Sequence, residues 1–223
     1  MTAATASTEA LWGVGTFVGP DAKVQPWEIS NAEIGRDMGA ATRVLEHFGV
    51  GPGNRVMLCS MLTEAGQFWP FVVGVLMSGA QISFTDATES DGARVALFTR
   101  LLDYRLVLGV NDAILDGLDE RGVAYDVAFG RIGVVAARPG AYERLEAAGL
   151  APYRLVVCGP VVAIGRGAGE PATYDASEWE LTARNGQVHV TSKQPRATEF
   201  RDTPTVIRGT VDGDRILPEA VKP

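Results

Sequence analysis

The chain has 223 residues, of which 46% are hydrophobic, 21% charged and 8% aromatic, with 26 Gly and 12 Pro. That composition excludes a disordered, collagen-like or disulfide-scaffold chain and fits a globular protein with one sizeable core or two small ones. The net charge of -7 disfavours a phosphate-backbone partner, and the densest basic stretch, Lys193, Arg196, Arg201 and Arg208, is broken by Glu199 and Asp202, so no nucleic-acid binding is expected.

The first ten residues are Ala/Thr/Ser-rich and lack the apolar core of a secretory leader. Ser30-Asn31-Ala32-Glu33 reads as a capping box opening a helix whose apolar stripe is Ile34, Met38, Ala41, Val44, Leu45 and Phe48. Gly49 to Gly53 stop it, and Arg55 to Ser60 is a short apolar run suited to a buried strand. Glu64 to Gly79 is too long for an ordinary strand and apolar nearly all round; it reads as a buried helix with Pro70 in its first turns. The longest apolar stretch, Phe68 to Ala80, is too short to span a membrane.

A strand is expected at Gln81 to Thr85, a helix at Asp91 to Leu102 and a strand at Arg105 to Val110. Asn111 caps a further helix ended by Gly122, and Val123 to Phe129 reads as another strand. Asp91 is expected to cap its helix rather than join Asp86 and Glu89 around a cation. Strands alternating with helices imply a parallel sheet with both faces covered.

Beyond residue 130 the pattern turns β-rich. Ile132 to Ala136 is apolar, and Pro139 to Ala148 reads as a short helix. Arg154 to Cys158 and Val161 to Ile164 are strand-like and split by Gly159-Pro160. Asn185-Gly186 is a two-residue hairpin signal between Trp179–Ala183 and Gln187–Thr191, and Asp212-Gly213 marks a second hairpin between Val206–Thr210 and Arg215–Leu217. The expected fold class is therefore α/β: a parallel sheet flanked by helices in the N-terminal half, over residues 1–130, followed by a smaller β-rich portion over 131–223.

Residues 28–122 resemble the start of the adenylate-forming superfamily of acyl-CoA synthetases, peptide-synthetase adenylation domains and luciferases. The resemblance rests on the order of three pieces: Glu28 to Glu33 at a helix opening, His47-Phe48-Gly49-Val50-Gly51-Pro52-Gly53-Asn54-Arg55-Val56 at a turn into a strand, and Phe71 to Ala80 at a helix end. Gly186 to Ser192, followed by Pro195 to Phe200, is similar to a later region of the phenylacetate-CoA-ligase-like branch. There the resemblance implies ligand-binding roles for Arg196, Arg208 and Asp212, although the acid is displaced from the family's position.

The departure is equally specific. The family's Ser/Thr/Gly-rich loop ending in Lys, which cradles ATP phosphates with backbone amides and a cation, has no counterpart. Gly165-Arg166-Gly167-Ala168-Gly169-Glu170 is the nearest Gly-rich loop; it has neither hydroxyls nor Lys and ends in an acid. The family's C-terminal lobe is not represented either. ATP-dependent ligation by this chain alone is therefore not expected, and no cofactor is.

Two histidines cannot build a His-rich metal site, and none is expected. His47 lies near a helix C-terminus, where the dipole favours a cation. His189, in a predicted strand, is the one weak catalytic candidate. Cys59 and Cys158 sit in apolar runs and read as buried thiols of a reducing cytosol. Trp27 and Trp69 read as core residues ahead of a pocket lining. The resemblance with its missing loop implies a non-adenylating relative that binds or scaffolds an acyl-CoA or acyl-carrier thioester, beside a full-length adenylating partner or as a homodimer. A small thioester transferase or hydrolase, or one subunit of a split ligase, is the alternative.

Overall fold

The structure, a computed structural model, describes residues 10–220; the leader reading of the first ten residues thus falls outside the described residues, Ala10 apart. Eleven strands form one sheet, and a separate two-stranded hairpin packs beside it. The hairpin is β1 (Leu11–Val18) with β2 (Val24–Ser30). Ser30 then caps α1 (Asn31–His47) as expected: its side chain accepts from the Glu33 amide while the Glu33 carboxylate accepts from the Ser30 amide.

Four crossovers build the parallel part. β3 (Arg55–Cys59) leads through α2 (Ala65–Met77) to β4 (Gln81–Thr85), and α3 (Gly92–Leu101) leads to β5 (Leu106–Val110). α4 (Asp112–Asp119) and α5 (Tyr125–Phe129) precede β6 (Val134–Ala137), and α6 (Ala141–Ala147) precedes β7 (Tyr153–Cys158). The parallel order is β4-β3-β5-β6-β7, so the winding reverses between β3 and β5.

Strand pleating assigns alternate residues to opposite faces. Val56, Leu58, Leu106, Leu108, Val134 and Ala136 face the core under α1 and α2. Met57, Cys59, Val107, Val135 and Ala137 face the core under α3, α4, α5 and α6. Both faces are covered, which is why these strands read as continuous apolar runs. In β5, Gly109 holds φ at +103°, where an added Cβ would strike the Cys59 carbonyl, so only glycine keeps β3 and β5 in close contact there.

At β7 the pairing turns antiparallel. β8 (Val161–Gly165), β9 (Ala172–Thr173), β10 (Trp179–Arg184), β11 (Gln187–Ser192), β12 (Thr203–Asp212) and β13 (Arg215–Pro218) continue the sheet in the order β7-β8-β9-β13-β12-β11-β10. This part curls until β11 and β12 lie back against β7. It encloses a third core of Val156, Cys158, Trp179, Leu181, Val188, Val190 and Phe200, which Phe17, Trp27 and Ile29 of the hairpin complete.

The expected α/β class with a β-rich second portion is the architecture observed. Asn185 and Gly186 both take positive φ, +50° and +79°, as a tight hairpin between twisted strands requires. Three local expectations are corrected. Val123 to Phe129 is not a strand: it turns into the five-residue helix α5, and the strand is displaced to Val134–Ala137, whose four residues are all buried. Asp91 does not cap α3, because its carboxylate turns back to accept from the Asp86 amide and pairs with Arg94 at 3.3 Å. α2 is not buried all round: Trp69, Leu76 and Met77 are exposed. No helix among the described residues is long and apolar enough to cross a membrane.

Candidate functional site

In a wound parallel sheet, ligands bind outside the carboxyl ends of the strands, near the point where the winding reverses. A groove of about 490 Å³ opens there. Met61, Thr63 and Glu64 come from the segment after β3, Arg138 and Pro139 from the segment after β6, and Val157 and Gly159 from the end of β7. Phe17, Val18 and Val24 of the hairpin form one wall, and Val206 and Ile207 of β12 the opposite one. Apolar walls with few polar groups are the usual make-up of a small-molecule site of this size.

The hairpin is fixed over the sheet by hydrogen bonds. The Thr16 hydroxyl donates to the Thr63 carbonyl at 2.8 Å. Gln67 of α2 donates through Nε2 to the carbonyls of Thr16 at 3.0 Å and Gly159 at 3.1 Å. Trp27 is wedged against Gly66 at the start of α2, where a Cβ would stand 2.9 Å from the indole. Trp27 is thus core, as read from the sequence, whereas Trp69 lies on the surface and packs against Trp12 with centroids 6.2 Å apart.

One ion pair sits among the apolar walls. Arg138 donates to both oxygens of Glu64, at 2.6 and 2.8 Å, and its guanidinium lies 5.4 Å from the centre of the Phe68 ring. About four-fifths of each charged side chain is buried, and the Arg138 Nε is buried with no partner. A buried donor without an acceptor is costly. Cys59, beneath the groove at the end of β3, is fully enclosed; burial pushes its thiol up to about 11.

The residues picked from the sequence lie elsewhere. His189 in β11 donates through Nδ1 to the Asp202 carbonyl at 3.0 Å, beside the Asp202 carboxylate that Arg184 also holds at 2.6 Å. The Arg196 side chain, in the loop before β12, is 3% exposed, lies over the Trp179 ring and is shared among Glu33, Asp37 and Glu178. Arg208 is exposed on β12 and bonds Glu219 and the Asn185 carbonyl. Asp212 ends β12 opposite Arg215. None of these four lines the groove.

The Gly165–Glu170 loop is occupied by its own acid, since the Glu170 carboxylate rests against Gly167, 2.8 Å from where a Cβ would stand. His47 ends α1 and donates through Nε2 to the Arg166 carbonyl at 2.8 Å, tying helix to loop. Glu64 and Arg138 escaped the sequence reading: Glu64 stands five residues past the end of β3, but Arg138 follows directly on the apolar run of β6. That position, a charged residue just past a parallel strand, was the available signal.

The fold is that of the adenylate-forming ligases. No protein-family model matches the chain, and no curated protein does. Among solved structures, a 2-hydroxyisobutyryl-CoA ligase in complex with 2-HIB-AMP and CoA superposes with a TM-score of 0.67 at 13% identity, over 94% of this chain and 52% of that one. E. coli MenE bound to a phenylether-linked analogue of OSB-AMS gives 0.55 at 10% identity, over 91% and 47%. An ATP-bound RpMatB-BxBclM chimera gives 0.61 at 11% identity, over 93% and 47%. The chain spans about half the length of these structures.

Proposed function

We propose that the chain is a non-adenylating relative of the acyl-CoA ligases that binds an acyl thioester in the groove at the strand carboxyl ends, as a binding or scaffolding component. The observation that carries this reading is the Glu64–Arg138 ion pair, which lines a groove whose other walls are mainly apolar. The acyl chain lies between the hairpin and β12, and its carbonyl oxygen accepts from Arg138, while Glu64 holds the guanidinium in place. The acid-filled Gly165–Glu170 loop supports the non-adenylating part, because a carboxylate against the glycines repels phosphate. On this reading the chain works in the cytosol beside a full-length adenylating partner or as a homodimer.

Isothermal titration with octanoyl-CoA, CoA and ATP–Mg tests the proposal. Octanoyl-CoA binds at least about tenfold tighter than CoA, and Arg138→Ala weakens it by about tenfold, the value of one charge-assisted hydrogen bond. Micromolar ATP binding by this chain overturns the non-adenylating reading, and equal affinity for CoA and octanoyl-CoA overturns the acyl groove.

A further inference from the structure

Gln67 lines a second cavity as well, a cleft of about 290 Å³ between α1, α2 and the β8–β10 region. Its amide has one possible orientation. Both Nε2 partners are carbonyls of groove residues, so a flipped amide would set its oxygen against two other oxygens. With Nε2 committed to the groove side, Oε1 is left as an acceptor without a donor, in a residue only 4% exposed. A buried acceptor of this kind calls for a donor from outside the chain.

The charges around the cleft state which donor. Asp37, on the lining of the cleft, belongs to a mostly buried cluster of three carboxylates, Glu33, Asp37 and Glu178, held by only two guanidiniums, Arg36 and Arg196. The Glu33 Oε1 accepts no hydrogen bond within this cluster. At the mouth the charges balance: Arg43 pairs with Asp175 at 2.6 Å, and Arg166 and Asp214 complete the rim. The cleft is thus short of one positive charge beside Asp37, and Gln67, whose acceptor is unsatisfied, lines the same cleft. Val44, Pro70, Phe71 and Trp179 supply the apolar part of a lining that is otherwise largely polar.

We propose that this cleft is a binding site for a small organic cation, a primary ammonium on an apolar body, with the ammonium donating to Gln67 Oε1 and the Asp37 carboxylate and the body lying against Phe71 and Trp179. An ammonium offers three donors and one positive charge, which matches both deficits, whereas an alcohol supplies the donor alone. No acyl group is involved, so this site stands or falls apart from the thioester groove.

The test uses benzylammonium and, as a probe of the same shape without charge, benzyl alcohol, titrated into the intact chain and followed by NMR. Benzylammonium binds at least about tenfold tighter than benzyl alcohol, with nuclear Overhauser contacts to Phe71 and Trp179. Asp37→Asn and Gln67→Met each weaken it by about tenfold. Equal affinity for the two probes, contacts elsewhere on the surface, or folded variants that bind as the wild type does, each overturn the proposal; insensitivity to Gln67→Met would mean that Oε1 is satisfied by water. Should Gln67→Met fail to fold, the comparison of the two probes on the wild type and the Asp37→Asn variant decide.

Discussion

Asp37 is the residue on which the electrostatics of the α1 interface turn. Burial raises its pKa, and Glu178 and Glu33 raise it further, against the hydrogen bonds and charge of Arg196. Arg36, the other guanidinium of the cluster, binds Glu178 and the Pro195 carbonyl instead. A carboxyl raised above its unfolded value contributes most to stability below that value, here 3.8, and the contribution is lost as pH rises through the folded-state pKa. The stability of the wild type relative to Asp37→Asn therefore falls as pH rises above 3.8. Urea midpoints of both proteins across that window check it; a difference that stays flat, or that moves in favour of the wild type as pH rises, contradicts the assignment.

At the scale of elements, the Ser30 capping box fixes where α1 begins and so where Glu33, Asp37 and Val44 stand along it. Ser30 is 1% exposed, and Ser30→Ala removes the acceptor of the Glu33 amide, at a cost of about 1 kcal/mol by denaturant unfolding. An unchanged midpoint would show that the reciprocal Glu33 bond suffices. This box was legible in the sequence because its signal is local: a hydroxyl, an acid three residues on, then an apolar stripe. The Asn185-Gly186 turn and the runs that became β3, β4 and β5 were legible for the same reason.

The hairpin of β1 and β2 was not. Val14, Val18 and Val24 are exposed while Phe17, Trp27 and Ile29 are buried, so its alternation is too uneven to stand out from loop sequence. The groove has the hairpin as one wall, and the site was hidden with it. α5 was misread because Val123 to Phe129 mixes β-branched and aromatic residues, which favour a strand only when neighbouring strands receive them. Arg196 was singled out by resemblance to a ligand-binding stretch; no local pattern shows that it would be consumed by Glu33, Asp37 and Glu178, of which the two on α1 lie some 160 residues away.

Over the whole molecule, one sheet runs from β4 to β10 and carries the change from parallel to antiparallel pairing at β7, so the two portions read from the sequence share a backbone ladder. The groove lies across that junction: the segments after β3 and β6 contribute its charged residues, the end of β7 its floor, and the hairpin and β12 its apolar walls. The ligases that share this fold are about twice as long. The proposed function makes this groove an acyl site that works without a nucleotide.

The most direct check is a crystal structure of the chain grown with octanoyl-CoA and, in parallel, with ATP–Mg. The expected result is the octanoyl chain between Val24 and Val206 with its thioester oxygen on Arg138, and no nucleotide bound. A nucleotide held against the Gly165–Glu170 loop, or an acyl chain seated outside the groove, would contradict it.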